Sequence, residues 1–462
     1  MQFNSLSYAL FLPVVFLLYW VSPFRYRNIL LVVASFIFYG SWSWGFLALM
    51  FFTGLVNWGT ALWMGHTSHR KWLLWITLLV NFLILGTFKY FNFFAENLMD
   101  FLSLFHLSVD IHLLNIILPV GISFYTFQVS GYVVDVYQRK LNAVSDIWHF
   151  FAFLSFFPQL VAGPIEQAGH LLPQLGRQRQ FDYTQAASGM RLILWGLMKK
   201  MLLADNCGHV ADMIFDQYQT CTTTELWMGA IFFSFQIYGD FSGYTDMAIG
   251  SAKLFGIELM QNFRRPYLSV SIPDFWRNWH ISLMMWFRNY IYIPLGGNKK
   301  GVLKKWRNVF AVFALSGLWH GAGWTYVVWG LYHAALFIPY SFLPVRESES
   351  GLRKVGQIAI TFMLVCMGWV IFRSENMVQA VDYLSGMIVG QNGWQYGYSR
   401  LPILIIVAFF SLELWSKGNN PLDFKCGGWL KYKVVRSFIY FGLFLLTLGM
   451  GGQSAQFIYF QF

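Results

Sequence analysis

The chain has 462 residues, of which 57% are hydrophobic and 20% aromatic, while only 11% are charged. A soluble domain carries about 25% charged residues, so this composition excludes a particle that faces water on every side. The net charge of +11 is gathered at Arg25/Arg27, Arg70/Lys71, Arg139/Lys140, Lys199/Lys200, Lys299 to Arg307 and Lys425 to Arg436, as loop charges that set membrane topology are, and not as a nucleic-acid surface.

A bilayer crossing takes about 20 mostly apolar residues. Windows approaching that length fall at 7–22, 28–42, 44–64, 72–88, 113–134, 226–241, 309–318, 325–342, 358–372, 401–415 and 434–450, with weaker ones at 149–165 and 190–203. Several are short or interrupted by polar residues. The reading is an all-α polytopic membrane protein with about 11 spans, some of them discontinuous or re-entrant. No Asp, Glu, Lys or Arg precedes Arg25, so the first helix is expected to run inward from an extracytoplasmic N-terminus and, lacking a basic n-region, to be retained as a span. Windows 28–42 and 44–64 are joined by a tight uncharged turn. No linker divides the chain, which reads as one membrane-embedded domain, 1–462: apolar hairpins over 1–112, a core over 113–345 and plainer helices over 346–462.

Cys207, Cys221, Cys366 and Cys426 have no paired spacing, so neither a metal site nor a disulfide framework is expected. Cys207 and His209 read as a lone pair in a loop.

The core interrupts its apolar stretches with Asp135, Gln159, Glu166, Asp240, Asp246, Arg264, Arg265, His280, Arg288, His320 and His333. Such groups are costly in lipid. They must pair or face a protein-lined cavity, and they mark a candidate site. The strongest feature runs from Leu315 to Trp324, Leu-Ser-Gly-Leu-Trp-His-Gly-Ala-Gly-Trp. If helical, His320 lies ~20 Å along the axis from Arg307, within a hydrocarbon core. There an imidazole can accept a proton, while Gly317, Gly321 and Gly323 permit close approach of backbone or ligand. Gly317 and Gly321 also have helix-packing spacing, with His320 then a satisfied interhelical donor. Composition leaves both readings open.

A second stretch runs from Ser271 to Leu283, Ser-Ile-Pro-Asp-Phe-Trp-Arg-Asn-Trp-His-Ile-Ser-Leu. Ser271 and Asp274 have capping-box spacing around Pro273, so a helix starts here. Arg277 would sit one turn past Asp274, and His280 one turn further, lining a cavity mouth or an interfacial helix anchored by Trp276 and Trp279. In the stretch from Tyr238 to Asp246, Asp240 and Asp246 do not share a helical face. Structural pairing with Arg264 or Arg265 is expected rather than an acid/base pair. The basic loop from Gly297 to Arg307 suits either an anionic donor or lipid headgroups.

These residues resemble the membrane-bound O-acyltransferase family. The resemblance rests on the run from Asn262 to Ser269, Asn-Phe-Arg-Arg-Pro-Tyr-Leu-Ser, on Asp274 to Leu283, on Tyr292 to Gly297, Tyr-Ile-Pro-Leu-Gly-Gly, and on Ser-Gly-Leu-Trp-His-Gly from Ser316 to Gly321. Leu118 to Gln128, Phe157 to Ile165 and Phe241 to Ala248 match the same pattern, so it covers nearly the whole chain. Within the family the likeness is to the group of alginate O-acetyltransferase membrane subunits and peptidoglycan-acetylating relatives. Two departures stand out: Asn278 and Asn289 occupy places where many relatives carry Arg and Asp.

The resemblance implies a ring of helices around a central funnel or tunnel, with His320 as the family's invariant histidine and His280 as its second. It implies a tunnel lined by Asn278, Arg277, Trp319, Ser316, Asp246 and Tyr244. It also implies transfer of an acyl group, most simply acetyl, from a cytoplasmic thioester such as acetyl-CoA, with no bound cofactor. The acceptor would be an extracytoplasmic polysaccharide, alginate-like or of the cell wall, reached through a separate esterase-like acetyltransferase outside the cell (inner) membrane. A teichoic-acid D-alanyl transferase and a transporter or glycan flippase are the competing readings. All the chemistry requires the His320 imidazole to be reachable from both aqueous compartments.

Overall fold

A bilayer core offers no water to a backbone N–H or C=O, so a spanning chain must satisfy these groups within helices or a closed barrel. The computed structural model describes residues 1–115, 117–161, 163–299, 301–342, 351–424, 428–451 and 457–458, and every regular element among them is helical. Lys425 and Cys426, named above, lie outside the described residues. Among the described residues, four helical stretches, Trp44–Met64, Arg70–Ser103, Gly351–Arg373 and Lys433–Met450, are long and apolar enough to cross a membrane, and Leu6–Val21 and Leu401–Ser416 are shorter apolar helices. The protein is a multi-pass membrane protein. Contacts gather its chain into two compact units, one of Met1–Asp182, Phe255–Met260 and Gly321–Gly323, the other of Tyr183–Leu254, Gln261–His320 and Trp324–Phe462.

The first unit holds α1 (Leu6–Val21), α2 (Phe24–Gly40), α3 (Trp44–Met64), α4 (Arg70–Leu85), α5 (Phe91–Ser103), α6 (Ile122–Tyr137), α7 (Ile147–Ser155), α8 (Phe157–Leu160) and α9 (Ala168–Gly176). Ser5, Ser43 and Asp146 accept backbone N–H groups at the starts of α1, α3 and α7, using the short polar side chains that favour such ends. The tight turn between α2 and α3 is present. Among the described residues of the window at 113–134 the helix begins at Ile122, because Pro119 and left-handed Gly121 (φ 75°) cannot continue a helix. The window at 149–165 breaks at Phe156, two residues before Pro158.

The apolar hairpins are less simple than their composition. Asn57 of α3 and Asn81 of α4 exchange amide hydrogen bonds of 2.8 and 2.9 Å, and Asn81 also donates to Ser130 of α6 at 3.2 Å. A buried amide pair of this kind ties helices where apolar contact alone gives little preference over lipid. Elsewhere in the unit, Glu166 bonds His170 Nδ1 at 2.7 Å and accepts the Met260 N–H at 2.6 Å. Gln159 donates to the Phe153 carbonyl at 2.7 Å, and Asp135 pairs with Lys140 at 3.9 Å. Each of these core polar groups has a local structural partner.

The second unit holds α10 (Tyr183–Met198), α11 (Asp205–Asp216), α12 (Thr223–Leu254), α13 (Ile272–Asn278), α14 (Ile281–Phe287), α15 (Val302–His320), α16 (Trp324–Phe337), α17 (Gly351–Arg373), α18 (Met377–Gly386), α19 (Leu401–Ser416) and α20 (Lys433–Met450). Its axis is the 32-residue α12, buried along most of its length. A Cβ on Gly196 would stand 2.5 Å from the Gly243 carbonyl oxygen, and one on Gly189 2.6 Å from that of Gly250. α10 and α12 therefore pack backbone to backbone, as small residues allow.

That packing decides the partners of the two α12 carboxylates, and they are not Arg264 and Arg265. Lys199 reaches Asp246 at 2.9 Å, while Lys200 reaches Asp205 at 2.7 Å and Asp240 at 2.8 Å. Six residues apart, Asp240 and Asp246 point about 120° from one another on a helix. Two consecutive lysines diverge by a similar angle, so each meets a different carboxylate. The Lys199/Lys200 cluster is accordingly a buried ion-pair element and not a loop charge. Arg264 instead donates to Gln261 at 3.0 Å. Cys207 lies inside α11 and is buried, with His209 exposed on another face, so the two form no loop pair.

Candidate active site

Local sequence builds the site in three pieces. The first is α13, where Ser271 caps the helix by accepting the Asp274 N–H at 3.3 Å and Asp274 reaches back to the Val270 N–H at 3.2 Å. The helix stops sooner than its spacing suggests. Asn278 folds back onto the Asp274 carbonyl at 2.9 Å and its carboxylate at 3.3 Å, Trp279 is extended, and His280 is left-handed at φ 45°. The backbone groups freed by this break pair across a neighbouring strand-like segment: Arg264 N–H donates to Asn278 O and Ile281 N–H to Asn262 O, both at 3.0 Å. His280 is thus not one turn beyond Arg277 but caps α14, and its ring is buried against Phe241 at 4.7 Å between ring centres.

The second piece is the α15–α16 hairpin. α15 starts at Val302, so Lys304, Lys305 and Arg307 belong to its first turns and not to a loop, and it runs unbroken to His320, its last residue. A Cβ on Gly317 would overlap the Tyr326 carbonyl oxygen, and one on Gly330 the Phe313 carbonyl oxygen. The two backbones meet twice, which fixes the end of α15. The packing reading of Gly317 and the functional reading of His320 are therefore compatible.

The third piece is an aromatic enclosure. His320, 5% exposed, has its ring centre 4.9 Å from Trp319, 5.2 Å from Trp329 of α16 and 5.4 Å from Phe372 of α17. His280 stands 6.4 Å from His320 and 5.8 Å from Trp319. Trp329 stacks on Trp369 at 5.7 Å, and Ser316, one turn before His320, is fully buried. Two imidazoles from different helices therefore share one apolar enclosure.

Beside it lies a cavity of about 520 Å³ whose wall includes Trp276, Arg277, Arg288, Tyr292, Lys305 and Phe313. Its interior is mostly apolar, with three cations on its lining. Inward, Trp276 packs on Trp329 at 5.6 Å, and Trp329 is the ring that meets His320. One aromatic layer separates the cavity wall from that imidazole. A second cavity of about 250 Å³ shares Arg277 and Lys305, and Lys305 donates to Ser341 at 3.2 Å.

The structure sorts the residues singled out in the sequence. His280, His320, Trp319 and Ser316 come together, and Arg277 and Arg288 line the cavity. Asn278 is occupied by the α13 turn, Asp246 by Lys199, and Tyr244 packs on Phe457 at 4.0 Å. His333 is buried and its Nδ1 accepts from Trp276 Nε1 at 3.4 Å. Sequence reasoning placed Asn262 in a motif but gave it no part in the site, where its Oδ1 lies 3.4 Å from His280 Nδ1. It also missed Trp329 and Phe372, which carry no polar signal.

Residues 71–377 match the model of the membrane-bound O-acyltransferase family. The chain is 41% identical over 391 residues to the probable alginate O-acetylase AlgI of Pseudomonas putida, covering 84% of this chain and 79% of that protein. It is 38% identical over 422 residues to the peptidoglycan O-acetyltransferase of Helicobacter pylori, covering 83% and 78%. A more distant likeness, 28% over 282 residues, covers 56% of this chain and 70% of the teichoic acid D-alanyltransferase of Bacillus subtilis.

Proposed function

The chain belongs to the membrane-bound O-acyltransferase family, and we propose that it takes an acetyl group from a cytoplasmic thioester and passes it across the membrane for O-acetylation of an extracytoplasmic polysaccharide, alginate-like or of the cell wall. The observation that carries this reading is the pair of buried imidazoles, His280 and His320, one aromatic layer from a cation-lined cavity.

The cavity suits the donor. Its volume falls in the range of small-molecule pockets, its apolar interior accepts a thioester arm, and Arg277, Arg288 and Lys305 suit the phosphates of acetyl-CoA or of a carrier-bound thioester. The acceptor hydroxyl oxygen attacks the thioester carbonyl carbon while His320 takes the hydroxyl proton as general base. Collapse of the tetrahedral intermediate forms the ester and breaks the C–S bond, and the histidinium returns its proton to the departing thiolate. The aromatic enclosure keeps water from competing as nucleophile. A separate extracytoplasmic partner enzyme then moves the acetyl group from that ester to the glycan.

The test is transfer from labelled acetyl donor by the wild type and by His320→Ala in reconstituted membranes. Loss of the base is expected to lower transfer by roughly 10²–10⁴-fold while the protein stays folded and inserted. A folded His320→Ala protein with near-normal transfer refutes the reading. Turnover of an aminoacyl carrier and not of acetyl-CoA would move the chain to the D-alanyl class.

A further inference from the structure

The orientation of one side-chain amide settles which nitrogen of His280 bears hydrogen. The Ser282 backbone N–H can only donate, and it points at Asn262 Oδ1 from 3.1 Å. The Ser282 hydroxyl donates to the same oxygen at 2.6 Å. Turning the amide over would set its NH₂ group against a backbone N–H, donor to donor, at a residue 1% exposed, and an unmet buried donor is costly. The atom there is therefore oxygen. Nδ1 of His280 lies 3.4 Å from that oxygen, and an imidazole nitrogen facing an acceptor carries the hydrogen. Neutral His280 is then the Nδ1–H tautomer, with Nε2 as the ring's acceptor.

We infer that Asn262 is a positioning residue for acyl transfer, holding His280 in the tautomer whose Nε2 accepts a proton or a hydrogen bond. The inference rests on the two-histidine reading above and deepens it: of the two rings, His280 is fixed as an acceptor toward any hydroxyl or histidinium that reaches its Nε2. The anchor is the amide oxygen alone, because Asn262 Nδ2 has no hydrogen-bond partner among the described residues. The backbone contributes as well, since Asn262 O accepts the Ile281 N–H at 3.0 Å and so holds the residue next to His280.

The experiment combines nitrogen NMR of ¹⁵N-histidine-labelled protein in lipid with steady-state kinetics. The His280 signals are assigned by their loss in His280→Asn. In the wild type, Nδ1 is expected to be protonated and Nε2 not. Asn262→Leu is expected to shift the tautomer balance and lower kcat by about 100-fold, the scale of a misplaced reacting group, with KM for the thioester unchanged. Asn262→Asp, which keeps an oxygen facing Ser282 and His280, is expected to restore the tautomer and most of kcat. A protonated Nε2 in wild-type neutral His280 overturns the inference, as does wild-type kcat in Asn262→Leu. If Asn262→Leu does not fold, the wild-type spectrum and Asn262→Asp still decide it. An active His320→Ala protein would sink the functional reading, whereas the tautomer stands or falls by the spectrum.

Discussion

His280 and His320 face each other with ring centres 6.4 Å apart, one from the cap of α14 and the other from the last position of α15. They are forty residues apart, and neither helix alone would place both. The pairing depends on the break at Trp279–His280 and on the backbone contact of α15 with α16.

The left-handed backbone of His280 separates its ring chemistry from its conformation. Asn tolerates φ > 0 better than most residues, so His280→Asn should fold with a melting temperature near that of the wild type. It should lose transfer by about 100-fold or more if the imidazole takes part in proton movement. Thermal unfolding in detergent and labelled-acetyl transfer, measured on the same preparation, check both halves.

Arg277 and Lys305 line both cavities. Replacing both with Ala should raise KM for an anionic thioester donor by about tenfold or more, a change of 1.4 kcal/mol or greater, with kcat little altered. Screening should narrow the difference as salt rises. An uncharged short-chain thioester should show no such dependence, and comparison of the two donors across ionic strength is the measurement.

Gly317→Ala should destabilise the protein by about 1–3 kcal/mol, the usual cost of overpacking, because the new methyl meets the Tyr326 carbonyl. Transfer should fall further than the folded fraction does, since α15 can relieve the clash only by moving His320. Activity corrected for the folded fraction tests this.

Lys200 lies between Asp205 and Asp240 and is 1% exposed. Lys200→Met leaves two buried carboxylates without their cation and should cost about 3–5 kcal/mol. Replacing all three with apolar residues of similar size should recover much of that loss. Melting temperatures of the single and triple variants decide it.

The helices were legible in the sequence because apolar windows, Pro273 and a Ser–Asp capping pair are local signals. His320 stood out as a candidate because a histidine in an apolar run must pair or face a cavity, although helix packing around Gly317 explained it equally well until the family resemblance was added. The partners of Asp240 and Asp246 were not, since they depend on glycine contacts that bring α10 against α12, which no local pattern encodes. The contact of Asn262 with His280 was hidden for a related reason: its direction is set only when a backbone N–H twenty residues on has been placed. The stop at Asn278 was hidden because its side chain competes with the helix by bonding Asp274, a choice visible only in three dimensions.

The double backbone contact at Gly317 and Gly330 has a kinetic meaning. With peptide groups already touching, α15 and α16 have no slack for one to glide along the other, and the imidazole at the end of α15 behaves as a fixed post. For a reactant entering from the cavity, the groups in between are the indoles Trp276 and Trp329, and turning about their own side-chain bonds would be what admits it. Turnover limited by such ring motion should depend little on bilayer thickness, unlike that of a protein whose helices must tilt to open.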